Sequence, residues 1–156
     1  MPETKKSVFQ KILLCIDGEP HTDKAIDWAL SFAEITGAQV TALHVKNTYL
    51  RQFYNEIYAQ GRKAYIEYVD KETDKYSTDL ISCFSHQAEA NKISYNIVEK
   101  TGTPFEEILK EFSTNAYDIL VVGGKHLNSI NTLKSKNLPA KLASKIKTKS
   151  LFIIRE

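Results

Sequence analysis

The run KILLCIDG, residues 11–18, decides the fold class of this chain. An unbroken apolar stretch closed by Asp17 is typical of a strand buried on both faces of a parallel sheet. Residues 20–37 then place apolar side chains at helical spacing, with proline near the start and glycine at the stop. A second apolar run, 38–45, follows this helix, so the three elements together predict a βαβ unit.

The alternation of strand and helix continues beyond this unit. Further strands are predicted at 93–98, at 117–122 and at 151–154, each separated from the next by a helical pattern. No repeat, low-complexity tract or proline-rich linker interrupts the chain. The sequence therefore predicts one α/β domain, residues 1–156, with a parallel sheet and helices on both faces.

Three helical patterns lie between the later strands. Gly61 is predicted to interrupt the tyrosine-rich segment, so that a mobile or partly helical stretch precedes it and an amphipathic helix runs from about residue 62 to 89. The tyrosines of that helix are interpreted as core or interface. Thr103 and Pro104 predict a helix that opens with a capping box. Asn137 is the predicted cap of the last helix.

Composition excludes several classes of protein. Of the 156 residues, 42% are apolar and 26% are charged, which is ordinary for a globular protein and unlike a disordered chain or a membrane protein. The apolar run near the start is too short for a signal peptide, so a cytoplasmic location is expected. The net charge is +2 and no nucleic-acid-binding motif is present, so neither a nucleic acid nor a membrane partner is expected.

Charge is distributed unevenly along the chain. No acidic residue occurs between Ile119 and Ile154, whereas seven lysines lie in that range. The asymmetry favours a small anionic ligand nearby, and a solvated lysine face is the alternative.

Residues that could carry catalysis or bind metal are scattered. The histidines show no ligand spacing, and His44 within a predicted strand is interpreted as structural. Cys15 and Cys83 lie in apolar patterns and are predicted to be buried. No nucleophile motif such as GxSxG occurs, so no metal site and no enzymatic activity are expected.

Several segments resemble the universal stress protein family: KILLCIDG, KAIDWALSFAEITGAQVTALHV, TGTPFEEIL and YDILVVGG. The resemblance implies a Rossmann-like, adenine nucleotide alpha hydrolase-like fold, with an open five-stranded parallel sheet in the order 3-2-1-4-5. Strands one and four are then neighbours, and their ends form a crevice that holds Asp17 and Gly123. The resemblance also implies a homodimer formed through the last strand, Leu151 to Ile154.

Family members that bind ATP carry a glycine-rich loop after the fourth strand. Its pattern is G-x-x-G, followed by nine residues of any type and then by G-S or G-T. Here those positions are Gly123, His126, Lys136 and Asn137, and a start at Gly124 gives Leu127, Asn137 and Leu138. Side chains at the missing glycines occupy the space of phosphates, and positive φ costs such residues about 1 kcal/mol or more. The resemblance implies these ligand-binding residues: Asp17, Val45, Gly123, Gly124, Lys125, His126, Lys136, Asn137 and Leu138.

The implied function is that of a small cytoplasmic stress-response module that binds an adenine nucleotide, ATP or AMP, between strands one and four. Two alternatives stay open. One is a slow nucleotide hydrolase that uses Asp17 and the lysines. The other is an interaction protein that binds no nucleotide.

Overall fold

The computed structural model describes residues 8–18, 20–48, 59–124 and 137–155. Within these ranges, five strands alternate with four helices. Their bounds are β1 Lys11–Cys15, α1 Pro20–Thr36, β2 Gln39–Asn47, α2 Ala59–Ala90, β3 Tyr95–Gly102, α3 Pro104–Thr114, β4 Ile119–Gly124, α4 Leu138–Lys145 and β5 Ser150–Arg155.

The five strands form one parallel sheet in the order β3-β2-β1-β4-β5. Strand β1 lies at the centre, where Leu14 is opposite Ala42 of β2 on one side and Val121 of β4 on the other. The α/β fold with this strand order is thereby confirmed. Because β1 and β4 are neighbours whose crossovers run in opposite directions, their carboxyl ends form a topological switch point.

Alternate residues along the strands divide the core into two layers, as the period of two in a strand requires. On one face, α1 and α2 cover Ile12, Leu14, Val40 and Val121. On the other face, α3 and α4 cover Leu13, Leu43, Leu120 and Val122. Strands covered on both faces are apolar at nearly every position, which explains why β1 reads as a continuous apolar run. Among the described helices, none has the length and apolar character needed to cross a membrane.

Some predicted boundaries differ from the structure. Gly61 does not interrupt the helix, since α2 runs unbroken through it from residue 59. A single glycine costs a helix only about 1 kcal/mol relative to alanine, and the fully buried Phe84 and Ala88 hold α2 against the sheet. Thr103 does lie at the N-cap of α3, but its side chain makes no capping hydrogen bond, so the predicted capping box is not formed. Residues 49–58, predicted to be mobile or partly helical, lie outside the described residues.

One buried polar pair links α3 to the start of β4. The hydroxyl of Tyr117 donates to Oε1 of Glu111 at 3.0 Å, and both residues are less than one tenth exposed. Lys100 of β3 places Nζ 3.7 Å from the other carboxylate oxygen. Burial of the hydroxyl raises the pKa of Tyr117, so it stays protonated and donates across the ordinary pH range. A buried carboxylate needs such donors, because an unpaired charge there is costly.

Tyr117→Phe should therefore lower the free energy of unfolding by about 1.5–3 kcal/mol, the usual contribution of a hydrogen bond to a charged group. Urea denaturation monitored by circular dichroism measures the change. Tyr95→Phe is the matched control, since the Tyr95 hydroxyl donates to Glu89 in an exposed position. That variant should change stability by less than about 0.5 kcal/mol. Equal effects of the two variants would contradict a special role for the buried pair.

Candidate functional site

A cavity of about 660 Å³ lies at the carboxyl ends of β1 and β2. Pockets for small ligands usually measure about 300–1,000 Å³, so this strand-end cavity has the right size for one. Helix α2 bounds it from one face of the sheet, and α3 and α4 bound it from the other. The described lining residues are Cys15, Ile16, Asp17, Leu43, His44, Val45, Asn47, Glu72, Thr73, Tyr76, Pro104, Ile108 and Leu138.

Asp17 lies two residues after the end of β1, in the wall of the strand-end cavity. The hydroxyl of Thr22 donates to Oδ1 of this carboxylate, and Nε2 of His21 lies 3.5 Å from Oδ2. Thr22 and His21 are both buried in the first turns of α1, so they hold the carboxylate in one orientation. The Asp17 side chain nevertheless remains 56% exposed. An oriented, accessible carboxylate of this kind can accept hydrogen bonds from the hydroxyls of a sugar.

His44 and Val45 come from the end of β2. Nδ1 of His44 lies 2.9 Å from the carbonyl oxygen of Ile16, and a carbonyl only accepts, so Nδ1 is the donor. His44 is buried and hydrogen-bonded, in keeping with its interpretation as a structural residue. Val45 faces the opposite layer, beside α3 and α4, and supplies an apolar wall.

Helix α2 contributes a wall that the sequence did not indicate. The hydroxyl of Tyr76 donates to the backbone carbonyl of Asp17, and its ring centroid lies 6.2 Å from that of His44. Three residues of α2 line the strand-end cavity: Glu72, Thr73 and Tyr76. Because 59 residues separate Tyr76 from Asp17 along the chain, no local pattern could have paired them.

The two glycines at the end of β4 lie beside the strand-end cavity and are absent from its described wall. A Cβ at Gly123 would lie 2.7 Å from the backbone oxygen of His21, so this glycine allows β4 to pack closely against α1. A Cβ at Gly124 would lie 3.1 Å from Ile153 on the neighbouring strand. Both glycines therefore have packing roles that are independent of a ligand.

Of the other predicted site residues, Leu138 lies in the cavity wall and Asn137 caps α4. Lys125, His126 and Lys136 lie outside the described residues. The structure thus brings Asp17, Val45 and Leu138 together around one cavity, and it places Gly123, Gly124 and Asn137 next to it.

The N-terminus of α4 has few backbone donors left for a phosphate. Pro139 has no N–H, and the N–H of Ala140 donates to Oδ1 of Asn137 at 3.2 Å. The N–H of Lys141 donates to the carbonyl oxygen of Asn137. Anion binding at a helix start depends on N–H groups that have no other partner. This helix start is therefore a weak phosphate site.

Charge in the described wall of the strand-end cavity is acidic. Asp17 and Glu72 line it, whereas none of its described residues is a lysine or arginine. Lys46 lies next to Val45 in β2, but its Nζ pairs with Asp74 at 2.9 Å and with Glu99 at 3.2 Å. These two partners raise the pKa of Lys46. In the part of the chain that the structure describes, no cluster of three or more histidine, cysteine or acidic residues could hold a metal ion.

The two cysteines differ in environment. Cys15 lines the strand-end cavity, where burial and the nearby charge of Asp17 raise the pKa of its thiol. Cys83 is exposed on α2, so its predicted burial is wrong. The helical pattern placed Cys83 near the apolar stripe, but the buried side chain of that turn is Phe84.

A family model described as the universal stress protein family matches residues 9–151. The universal stress protein YxiE of Bacillus subtilis is 22% identical over 151 residues, which cover 95% of this chain and all of that protein.

Solved structures show the same fold. The universal stress protein UspA from Lactobacillus plantarum has a TM-score of 0.71 at 16% identity, over 94% of this chain and 98% of that one. A universal stress protein family protein from Arabidopsis thaliana, solved with AMP bound, has a TM-score of 0.61 at 17% identity, over 94% and 92% of the two chains.

The difference between the cysteines predicts selective alkylation. Only the thiolate is nucleophilic, so iodoacetamide at pH 8 should modify Cys83 and leave Cys15 unmodified in the folded protein. Mass spectrometry should find one adduct in native buffer and two in urea. Cys83→Ser should give none in native buffer. Rapid modification of Cys15 in the folded protein would contradict the raised pKa of its thiol.

Proposed function

The chain belongs to the universal stress protein family, and from this premise we propose that it is a single-domain regulatory module that binds an adenine nucleotide in the strand-end cavity. The observation that carries the proposal is that Asp17, Val45 and Leu138 meet around a cavity of about 660 Å³. The AMP-bound relative from Arabidopsis thaliana shares the fold and supports the choice of ligand.

The nucleoside part of the ligand fits the described wall. Val45, Ile108 and Leu138 offer apolar surface to a base, and Asp17 offers an acceptor to the ribose hydroxyls. Thr22 and His21 already orient the Asp17 carboxylate, so little ordering is needed when a sugar arrives. Affinity therefore comes mainly from the base and the sugar.

The described residues offer few favourable contacts to the phosphate groups of a nucleotide. The start of α4 has most of its donors occupied, and Asp17 and Glu72 repel additional negative charge. We therefore propose that AMP binds at least as well as ATP. Lys125, Lys134 and Lys136 lie outside the described residues.

We infer a non-catalytic role in the cytoplasm for this module. In the described wall, Asp17 is engaged with Thr22 and His21, and none of the lining residues is a cation that could stabilise charge on a transferred phosphoryl group. A hydrolase would release phosphate from ATP in a steady-state assay. Holding a nucleotide without turnover suits a protein that reports nucleotide levels to a partner.

We also propose that the chain forms a homodimer through β5. This strand lies at the edge of the sheet, and its residues Leu151, Phe152, Ile153 and Ile154 are only partly buried. An exposed parallel edge offers unpaired N–H and C=O groups, which a two-fold copy can satisfy. Packing of Phe9 against Phe32, and of Phe32 against Phe152, covers one face of the strand. Those ring contacts lie on a face of the sheet, whereas pairing with a second copy would use its edge.

Thermal-shift measurements with AMP, ADP and ATP test whether the protein binds an adenine nucleotide. A ligand at 100 times its Kd stabilises the fold by about 2.7 kcal/mol, which raises Tm by about 5–10 °C for a chain of this size. AMP should give a shift at least equal to that of ATP. Asp17→Ala should lose most of the shift relative to its own ligand-free Tm, whereas Asp27→Ala, an acid on the exposed face of α1, should keep it. No shift with any nucleotide would favour the interaction protein, and phosphate release that depends on Asp17 would favour the hydrolase.

Light scattering tests whether the protein forms a dimer through β5. The wild type should have the mass of a dimer, and Ile153→Lys should have that of a monomer, because a charge next to the paired edge is costly to bury. Ile35→Lys is the matched control, since Ile35 is 84% exposed on α1 and the same change there should leave a dimer. A wild type that stays monomeric at high micromolar concentration would remove the proposal. A dimer unaffected by Ile153→Lys would move the interface to another surface.

A further inference from the structure

Tyr76 of α2 lies in the wall of the strand-end cavity, where two contacts hold its side chain. Its hydroxyl donates to the backbone carbonyl of Asp17, at the end of β1, and its ring is tilted against that of His44 at the end of β2. The two contacts tie one aromatic ring of α2 to both central strand ends. The ring is therefore a fixed part of the cavity wall.

Gly18 makes room for this ring. Its φ of +77° already favours glycine, and a Cβ at this position would overlap the hydroxyl of Tyr76. The glycine after Asp17 thus has two roles, since it turns the chain towards α1 and admits Tyr76 to the Asp17 carbonyl. A side chain at Gly18 would displace the ring.

The backbone of α2 is also held at this point. Asp74, two residues before Tyr76, pairs with Lys46 of β2 at 2.9 Å, and Ser77, the next residue, is 1% exposed. Further along, Phe84 is fully buried against the sheet. These contacts hold the backbone of α2 over the strand ends, and the bond to Asp17 holds the Tyr76 side chain.

Tyr76 lines the cavity while half of its surface remains exposed. Tyr76 is 50% exposed, and it is the only phenylalanine, tyrosine or tryptophan among the described lining residues. Ile108 and Leu138 line the same cavity from helices on the opposite face of the sheet. A cavity with an aromatic ring in one wall and aliphatic side chains in another suits a flat, unsaturated ring system.

We propose that Tyr76 selects the ligand by stacking on its base, and that the bond from its hydroxyl to Asp17 sets the angle of the ring. This inference rests on the proposed function. Stacking strength follows the area of the overlapping rings, so the two-ring purines gain more than the one-ring pyrimidines. In this arrangement the carboxylate of Asp17 binds the sugar. Its backbone carbonyl accepts the hydrogen bond from Tyr76, and Tyr76 stacks on the base.

Isothermal titration with AMP, UMP and ribose 5-phosphate tests the inference. Tyr76→Ala should weaken AMP binding by about 5- to 100-fold, the usual effect of removing a stacked ring. UMP binding should weaken less, so the preference for the purine should shrink. Ribose 5-phosphate, which has no base, should bind the variant and the wild type equally. Tyr76→Phe keeps the ring and should weaken AMP binding by less than about fivefold.

Two further variants separate stacking from general damage to α2. Tyr68→Ala removes an exposed tyrosine of the same helix that does not line the cavity, and it should leave AMP binding unchanged. Gly18→Ala keeps Tyr76 but displaces its ring, so it should weaken AMP binding as Tyr76→Ala does, even if Tyr76→Ala itself proves unstable.

The outcomes are distinguishable. If wild-type protein binds AMP and both Tyr76→Ala and Gly18→Ala bind it equally well, the inference is overturned while the proposed function stands. Equal weakening of AMP, UMP and ribose 5-phosphate would also overturn it, because the loss would then not involve the base. Absence of AMP binding by the wild type would remove the proposed function and this inference together.

Discussion

Strand β1 pairs with β2 on one edge and with β4 on the other, and the rest of the molecule depends on this double pairing. It makes β1 the central strand, so both of its faces are covered and nearly all of its side chains are apolar. It also brings the carboxyl ends of β1, β2 and β4 to one side of the sheet. The strand-end cavity lies at the ends of β1 and β2, between α2 on one face of the sheet and α3 and α4 on the other.

Asp17 contacts two helices at the carboxyl ends of the strands. Its carboxylate is held by Thr22 and His21 of α1, while its backbone carbonyl accepts from Tyr76 of α2. Two helices are thereby tied to the end of one strand through a single residue. The side chain of Asp17 thus contacts α1, whereas its backbone contacts α2.

Helix α2 forms the wall of the strand-end cavity on one face of the sheet. Its 32 residues span about 48 Å, whereas the eight residues of β3 span about 26 Å. The C-terminal part of α2 packs on the sheet through Phe84 and Ala88, and Tyr76 lies about 21 Å along the helix from Ala90, near the level of the strand ends. Lys46, with its partners Asp74 and Glu99, fastens the helix at this height.

The sequence by itself determined the strands, their order through the family resemblance, and the candidate ligand residues that follow them, because apolar periodicity and short motifs are local signals. Asp17 and Leu138 could be proposed because the family resemblance implies an acidic residue at position 17 and an ATP-binding loop that, started at Gly124, ends at position 138. Only the tertiary structure showed that Gly123 packs against His21, that the donors of α4 are mostly occupied, and that Tyr76 reaches Asp17. Each of these facts depends on contacts or hydrogen-bond partners that a pattern of residue types does not specify. The same tyrosine spacing would suit a core stripe or a cavity wall, and the height at which α2 packs over the strand ends places Tyr76 in a cavity wall.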